Sequence, residues 1–425
     1  LPDFTDESEN YRKSSINIPH QKENKMRKKT LLAGIIVGAL FFTTAAFASV
    51  NDDQVTSQKI READGTSGQN TNSGSGVKTN HIQDGAVTAS KITGPIGVEK
   101  LSSYAGVKIV HAGAANGITT FNSLRDALNS IEAEQTTNNY AVLVMPGTYS
   151  EDLNSGLNWS GRNTATIIGQ GRESTILVGG DAYRQIFMKS NLFFSNLTLQ
   201  GSVLILNGVH DVSIRNCAID ASNIGAQSSG LGMSIWQDAF NIVLDNVSIK
   251  ALQGIDMFML THPETITLRN IQIKALAQTT PPNSAGAFGI IVSDTANAEA
   301  VLNIENVSIE SGYYGINTNS GKIILNNISI KAQWCGLLGG GTMAVRNSSI
   351  EGSVISVQNM NSTDISINSS TVIGSLYGGY QSLTKIGSSK ISGLQHPNPS
   401  GGTFKFVNCY DDNYEPIPNG SQTYQ

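Results

Sequence analysis

Residues 242–249 read Ile242-Val243-Leu244-Asp245-Asn246-Val247-Ser248-Ile249, and this eight-residue phrase decides the fold. Apolar side chains alternate on either side of Asn246, which is the period of a strand with one buried face. Leu244 and Val247 are three residues apart, so the alternation slips phase at Asn246. A flat strand cannot keep one face buried across such a slip, whereas a sharp bend can.

The phrase occurs ten times, as LFFSNLTL, VSIRNCAI, IVLDNVSI, ITLRNIQI, LNIENVSI, IILNNISI, MAVRNSSI, ISINSSTV, TKIGSSKI and FKFVNCYD. Its central residues are Asn196, Asn216, Asn246, Asn270, Asn306, Asn327, Asn347, Ser369, Ser388 and Asn408. A repeat of roughly twenty residues signals a solenoid, one coil per copy. Each coil adds a further strand that opens with glycine: Gly232-Met233, Gly254-Ile255, Gly289-Ile290, Gly315-Ile316 and Gly336-Leu337. Val, Ile, Thr, Asn and Ser dominate the repeat, which argues against stacked helices. The expected fold is all-β, a right-handed parallel β-helix over residues 105–415 with a short N-terminal capping helix and a C-terminal tail at 416–425. Ten coils about 4.8 Å apart make a rod roughly 45–50 Å long. The Asn at each phase slip is expected to point inward, stacked on its neighbours.

The residue before each Asn runs Ser195, Arg215, Asp245, Arg269, Glu305, Asn326, Arg346, and the residue four after runs Gln200, Asp220, Lys250, Lys274, Glu310, Lys331, Glu351. Signs mostly alternate along both series, so these charges read as ladders between coils and not as catalytic groups.

Residues 1–25 are polar and aperiodic and read as an over-extended start. Met26 opens a secretory signal (26–48): Arg27, Lys28 and Lys29, an apolar run from Leu31 to Phe42, then Ala46-Phe47-Ala48, with cleavage before Ser49. The expectation is a secreted or surface-displayed protein with no membrane span once mature. Residues 49–76, rich in Gly, Ser and Asn, read as a flexible linker. In 77–104, Val87-Thr88-Ala89-Ser90-Lys91-Ile92 is echoed by Val98-Glu99-Lys100-Leu101. This resembles the short DGAVT repeats of bacterial surface proteins and implies a stalk, with a homotrimer as the expected assembly.

Phe121, Leu124, Leu128 and Ile131 share one helical face, the candidate cap for the first coil's open edge. After it come Pro146-Gly147-Thr148-Tyr149 and an IIGQG-x-x-x-T-I segment from Ile167. A capping helix, PGTY and IIGQG together resemble the opening of the pectin lyase-like superfamily, nearest its pectinesterase branch. That branch implies two carboxylates one coil apart, Gln side chains steadying an anion, and an Arg holding the substrate. Trp236-Gln237-Asp238-Ala239 and Gly254-Ile255-Asp256-Met257-Phe258 resemble two of its three catalytic segments. The third, Gly-Arg-Pro-Trp, has no counterpart. Asp256 lies two residues past its glycine and Asp238 six past Gly232, so stacking places Asp256 over Ser234. Asp256, Asp238 and Gln237 are therefore the catalytic candidates of an incomplete set.

Only 14% of residues are charged, against about 25% usually, and the net charge is −5 with no basic stripe, which excludes a nucleic-acid binder. Three cysteines without zinc spacing read as buried small hydrophobes, with Cys335 in a turn. His210, His262 and His396 read as turn residues without an acidic neighbour at useful spacing. No metal or cofactor is expected. Insertions before Met233 and Ile290 fall on one side of the rod, and Tyr313, Tyr314, Trp334 and Tyr377 follow on that side. With Trp236 they form the candidate sugar-binding set. The expected function is polysaccharide or cell-surface glycan binding along one face without turnover. The alternative is a divergent esterase, lyase or hydrolase.

Overall fold

The structure is a computed structural model that describes residues 104–180, 183–222, 230–276, 287–293, 300–360, 363–393 and 402–423. The leader, the linker, nearly all of the stalk segment, His396 and most of both insertions lie outside the described residues.

The repeat coils as a parallel β-helix. Within one coil, Phe240–Ala251 runs along a first face, turns at Asn246 and continues along a second; Gln253–Met257 forms a third. The next coil repeats this at Ile266–Ala275 and Phe288–Val292. Pairing is parallel and in register: Leu244 opposes Leu268, Val247 opposes Ile271 and Ile249 opposes Ile273. Leu244, Val247 and Ile249 are buried, as are their equivalents from coil to coil, so the core is a continuous apolar column.

The corner asparagines correct the sequence expectation. All eight, with Ser369 and Ser388, adopt the left-handed conformation, with φ between 47° and 58°. Their side chains are exposed instead of buried. A single left-handed residue turns the chain so sharply that the residue two before it and the residue one after it both point inward, and the corner itself points out. Asn is the non-glycine residue best suited to that backbone region. Like still lies over like, on the outside. Asn246 Nδ2 donates to Asn216 Oδ1 at 2.7 Å, Asn306 to Asn270 at 3.2 Å and Asn327 to Asn306 at 2.8 Å.

The charge ladders form as read. Arg215, Asp245, Arg269, Glu305, Asn326 and Arg346 are register partners in turn. Arg269 Nη2 lies 2.7 Å from Asp245, and its guanidinium holds that carboxyl below the usual range. In the second column Lys274 meets Glu310 at 3.6 Å and Lys331 meets Glu351 at 3.9 Å.

The opening glycines let the third face close against the second. A Cβ on Gly289 would sit 2.2 Å from Ile309 Cγ2 and 2.6 Å from the Gly315 carbonyl. Gly254 and Gly315 meet the same obstruction from Ile273 and Ile330.

Both ends of the stack are covered. The helix Leu124–Glu132 buries Leu124, Ala127, Leu128 and Ile131 against the first coil. Phe121 is buried too, but in the short strand Thr120–Phe121 ahead of the helix. Buried Glu151 accepts from Leu124 N (2.6 Å) and Arg125 N (3.1 Å) at the helix start. Burial pushes its carboxyl up, and the two amides oppose that. At the far end, Pro416–Ile417 and Gly420–Thr423, read from sequence as tail, pair antiparallel with the last coil and cover its edge. Cys217, Cys335 and Cys409 are free and buried, and Cys335 begins the strand Cys335–Gly339 instead of lying in a turn. No helix among the described residues is long and apolar enough to cross a membrane.

Asn246→Ala is expected to destabilise by about 1–2 kcal/mol more than Asn246→Gly in urea denaturation followed by circular dichroism, because only Ala is strained at positive φ. Equal losses would mean that the amide ladder, not the turn, sets the cost. Gly289→Ala is expected to cost about 1–3 kcal/mol in the same assay by overpacking.

Candidate binding face

The sequence-derived candidates gather around the third face. Its outward column is, by register, Phe187, Leu204, Ser234, Asp256, Ile291, Asn317, Leu338, Gln358 and Tyr377. Ser234 does oppose Asp256. None of these residues is fully exposed, although all stand on the outer side of a sheet.

One rim of this face lies four residues past each glycine. Trp236 and Phe258 occupy it on consecutive coils, 43% and 40% exposed, with ring centroids 6.2 Å apart and tilted by 60°. Trp236 Nε1 donates to Ser234 Oγ at 2.7 Å, which fixes the indole over the floor. Met259 and Met360 extend the exposed apolar rim. Phe258 and Met259 were not among the sugar-binding candidates read from the sequence. Counting four from each glycine (Gly232 to Trp236, Gly254 to Phe258) would have found the ring pair.

The opposite edge carries the other aromatics, packed on one another. Tyr313 stacks on Trp334 at 4.8 Å and 12°, and Tyr314 meets both edge-on at 4.6 and 5.1 Å. All three are half-buried, and burial pushes the Tyr314 hydroxyl up to about 12. Tyr377 does not join them. It lies on the floor over Gln358, away from the edge.

Asp256 is the one acidic or basic side chain of Asp, Glu, Lys, Arg or His type on the outward column. Burial pushes its carboxyl up, and a 3.5 Å hydrogen bond from Ser293 Oγ partly offsets this. Its register neighbours are Ser234 and Ile291, so neither adjoining coil offers the second carboxylate that pectinesterase-like chemistry requires. Asp238 and Gln237 lie in the turn beyond Trp236. Exposed Asp238, with φ 58°, accepts from Thr261 Oγ1 at 2.9 Å and does not converge on Asp256. The histidines correct the sequence reading. His210 Nδ1 lies 2.8 Å from Asp211 and His262 Nδ1 lies 3.5 Å from Glu264. Their rings flank Phe240, His210 stacked at 4.9 Å and His262 edge-on at 6.0 Å. Among the described residues, no group of three or more His, Cys, Asp or Glu side chains is placed to hold a metal ion.

No protein-family model, curated protein or solved structure matches the chain. The resemblance to the pectin lyase-like superfamily therefore rests on the capping helix, the PGTY and IIGQG segments, the two segments around Asp238 and Asp256, and the repeat.

Because the folded-state pKa of Asp256 is raised, the folded form holds its proton more tightly than the unfolded chain. Its contribution to stability is present below the ordinary aspartate pKa of about 3.9 and is lost as pH rises through the folded value. Thermal melts from pH 3 to 7 are expected to show wild type losing stability relative to Asp256→Asn across that window. Parallel curves would mean the carboxyl is fully solvated.

Proposed function

We propose that this protein is a secreted or surface-displayed rod that binds polysaccharide along its third face without turning it over. The supporting observation is the Trp236–Phe258 pair, two solvent-facing rings on adjoining coils beside a floor that carries the half-buried Asp256 carboxyl and, further along, the half-buried Asn317 and Gln358 side chains. Aromatic faces cover the apolar faces of sugar rings, and neighbouring polar groups bond the hydroxyls. Tyr313 and Trp334 border the opposite edge. Their mutual stacking makes them a wall of the groove more than a row of open platforms. The signal sequence from Met26 and the stalk-like segment 77–104 fit delivery to, and display at, a cell surface.

Binding is favoured over catalysis by the register itself. An acid/base pair on adjacent coils would put a second carboxylate over Asp256, where Ser234 and Ile291 stand. Divergent pectinesterase-like chemistry would have to work from Asp256 alone.

Affinity electrophoresis through gels containing polysaccharides tests this reading. Trp236→Ala is expected to weaken retardation about threefold to tenfold, the worth of one aromatic contact of about 0.5–1.5 kcal/mol. Wild-type mobility unchanged by every polysaccharide would overturn it. Release of reducing ends, methanol or unsaturated sugars, abolished by Asp256→Asn, would turn the assignment to an enzyme.

A further inference from the structure

The cations of this rod are distributed unevenly among its faces. Arg215, Arg269 and Arg346 line the column beside the corner asparagines, and Lys250, Lys274 and Lys331 stand on the second face. Lys385 and Lys405 are stacked and exposed on the first. The third face differs. Its strands read Leu231–Ile235 LGMSI, Gln253–Met257 QGIDM, Phe288–Val292 FGIIV, Tyr314–Thr318 YGINT and Cys335–Gly339 CGLLG, and its next two coils contribute 355–359 ISVQN and 375–378 SLYG. Among the described residues, these seven strands thus present no Lys, Arg or His, and a single carboxylate, Asp256.

From this charge pattern we infer that the third face selects a non-anionic polysaccharide, with Asp256 as the residue that discriminates against acidic chains. The inference rests on the glycan-binding reading above and names its ligand class. A chain of uronate or sulfated sugars lying along the seven coils would place its anions over a floor without a cation and against a carboxylate. Each anion would lose water without gaining a counter-charge. A neutral chain loses only hydroxyl hydration, which this floor can replace. Asn317 and Gln358 place half-buried side-chain amides on this floor; their oxygens lack a donor from the described chain and are shielded from solvent, so a sugar hydroxyl meets them only once the side chain turns outward. The half-buried Asp256 carboxyl adds a polar position beside the Trp236 and Phe258 rings, whereas the Ser234 hydroxyl is covered and bonded to Trp236 Nε1. The apolar members of the same floor, Leu204, Ile291 and Leu338, suit the C–H faces of uncharged sugars.

The test compares full-length mature protein in native gels containing neutral polysaccharides (glucan, xylan and mannan) with gels containing polygalacturonate, at pH 7 and low salt. At least one neutral polymer is expected to retard the protein at a concentration tenfold or more below that needed for polygalacturonate. Asp256→Asn is expected to narrow the preference for neutral over acidic polymer at least threefold, since it removes one like charge. Polygalacturonate binding as tight as neutral binding would overturn the inference while leaving glycan binding in place. A preference unchanged in Asp256→Asn would remove Asp256 from the discriminating role. Retardation by no polymer at all would sink the glycan-binding reading itself. A dimer in analytical ultracentrifugation that Trp236→Ala dissociates would assign the face to a second copy of the chain.

Discussion

At each corner the backbone adopts a left-handed turn, and at several of them the asparagine bonds to the equivalent residue of a neighbouring coil, while Asn270 and Asn347 bond to Asp245 and Asn326 in the adjoining column. The rest of the rod depends on that alignment. Because φ is positive at the corner, the apolar residues on both sides of it face the same interior. Because Asn246 bonds Asn216 and Asn327 bonds Asn306, successive coils cannot slip by a residue. A slip of one residue would exchange inside for outside along every strand. The corner therefore sets the register of the core, of the charge columns and of the outer faces together.

Once register is set, each face acquires its own character from what the repeat places there. The corner column and the second face collect alternating charges that compensate one another at modest distances, as between Arg269 and Asp245 or Lys274 and Glu310. Such exposed pairs are worth little individually. Their value lies in penalising misaligned stacking. The third face lacks these ladders. Glycines bring its backbone close against the isoleucines of the second face, and its outward side chains are largely apolar or uncharged. On that surface Trp236 and Phe258 stay exposed without disturbing the stack.

Much of the fold was legible in the sequence. The phase slip at Asn246 implied a corner, the roughly twenty-residue period implied coils, and alternating charges before each Asn implied ladders that the register then matched pair for pair. The direction of the Asn side chain was not legible. Both an inward and an outward corner satisfy the same apolar alternation, and only the backbone conformation separates them. At the site, placing Asp256 over Ser234 followed from counting residues past each glycine. The stacking of Tyr313 on Trp334 followed as well, since each lies seven residues past its corner Asn. The pairing of Trp236 with Phe258 and the edge-on packing of Tyr314 against both partners were not read. Spacing places Trp236 and Phe258 on one rim, but whether neighbouring rings lie flat, tilt or meet edge-on depends on side-chain packing that spacing does not carry.

The amino-acid sequence by itself determined that this is a β-helix and which side chains share a column, because a one-dimensional repeat stacked in register maps position in the chain directly to position on a face. Only the tertiary structure decided which way the corners point, how the final residues cover the last edge, and which aromatics remain open to solvent. Those outcomes depend on backbone handedness and on contacts between coils far apart in the chain, and neither is carried by the periodicity of any one segment.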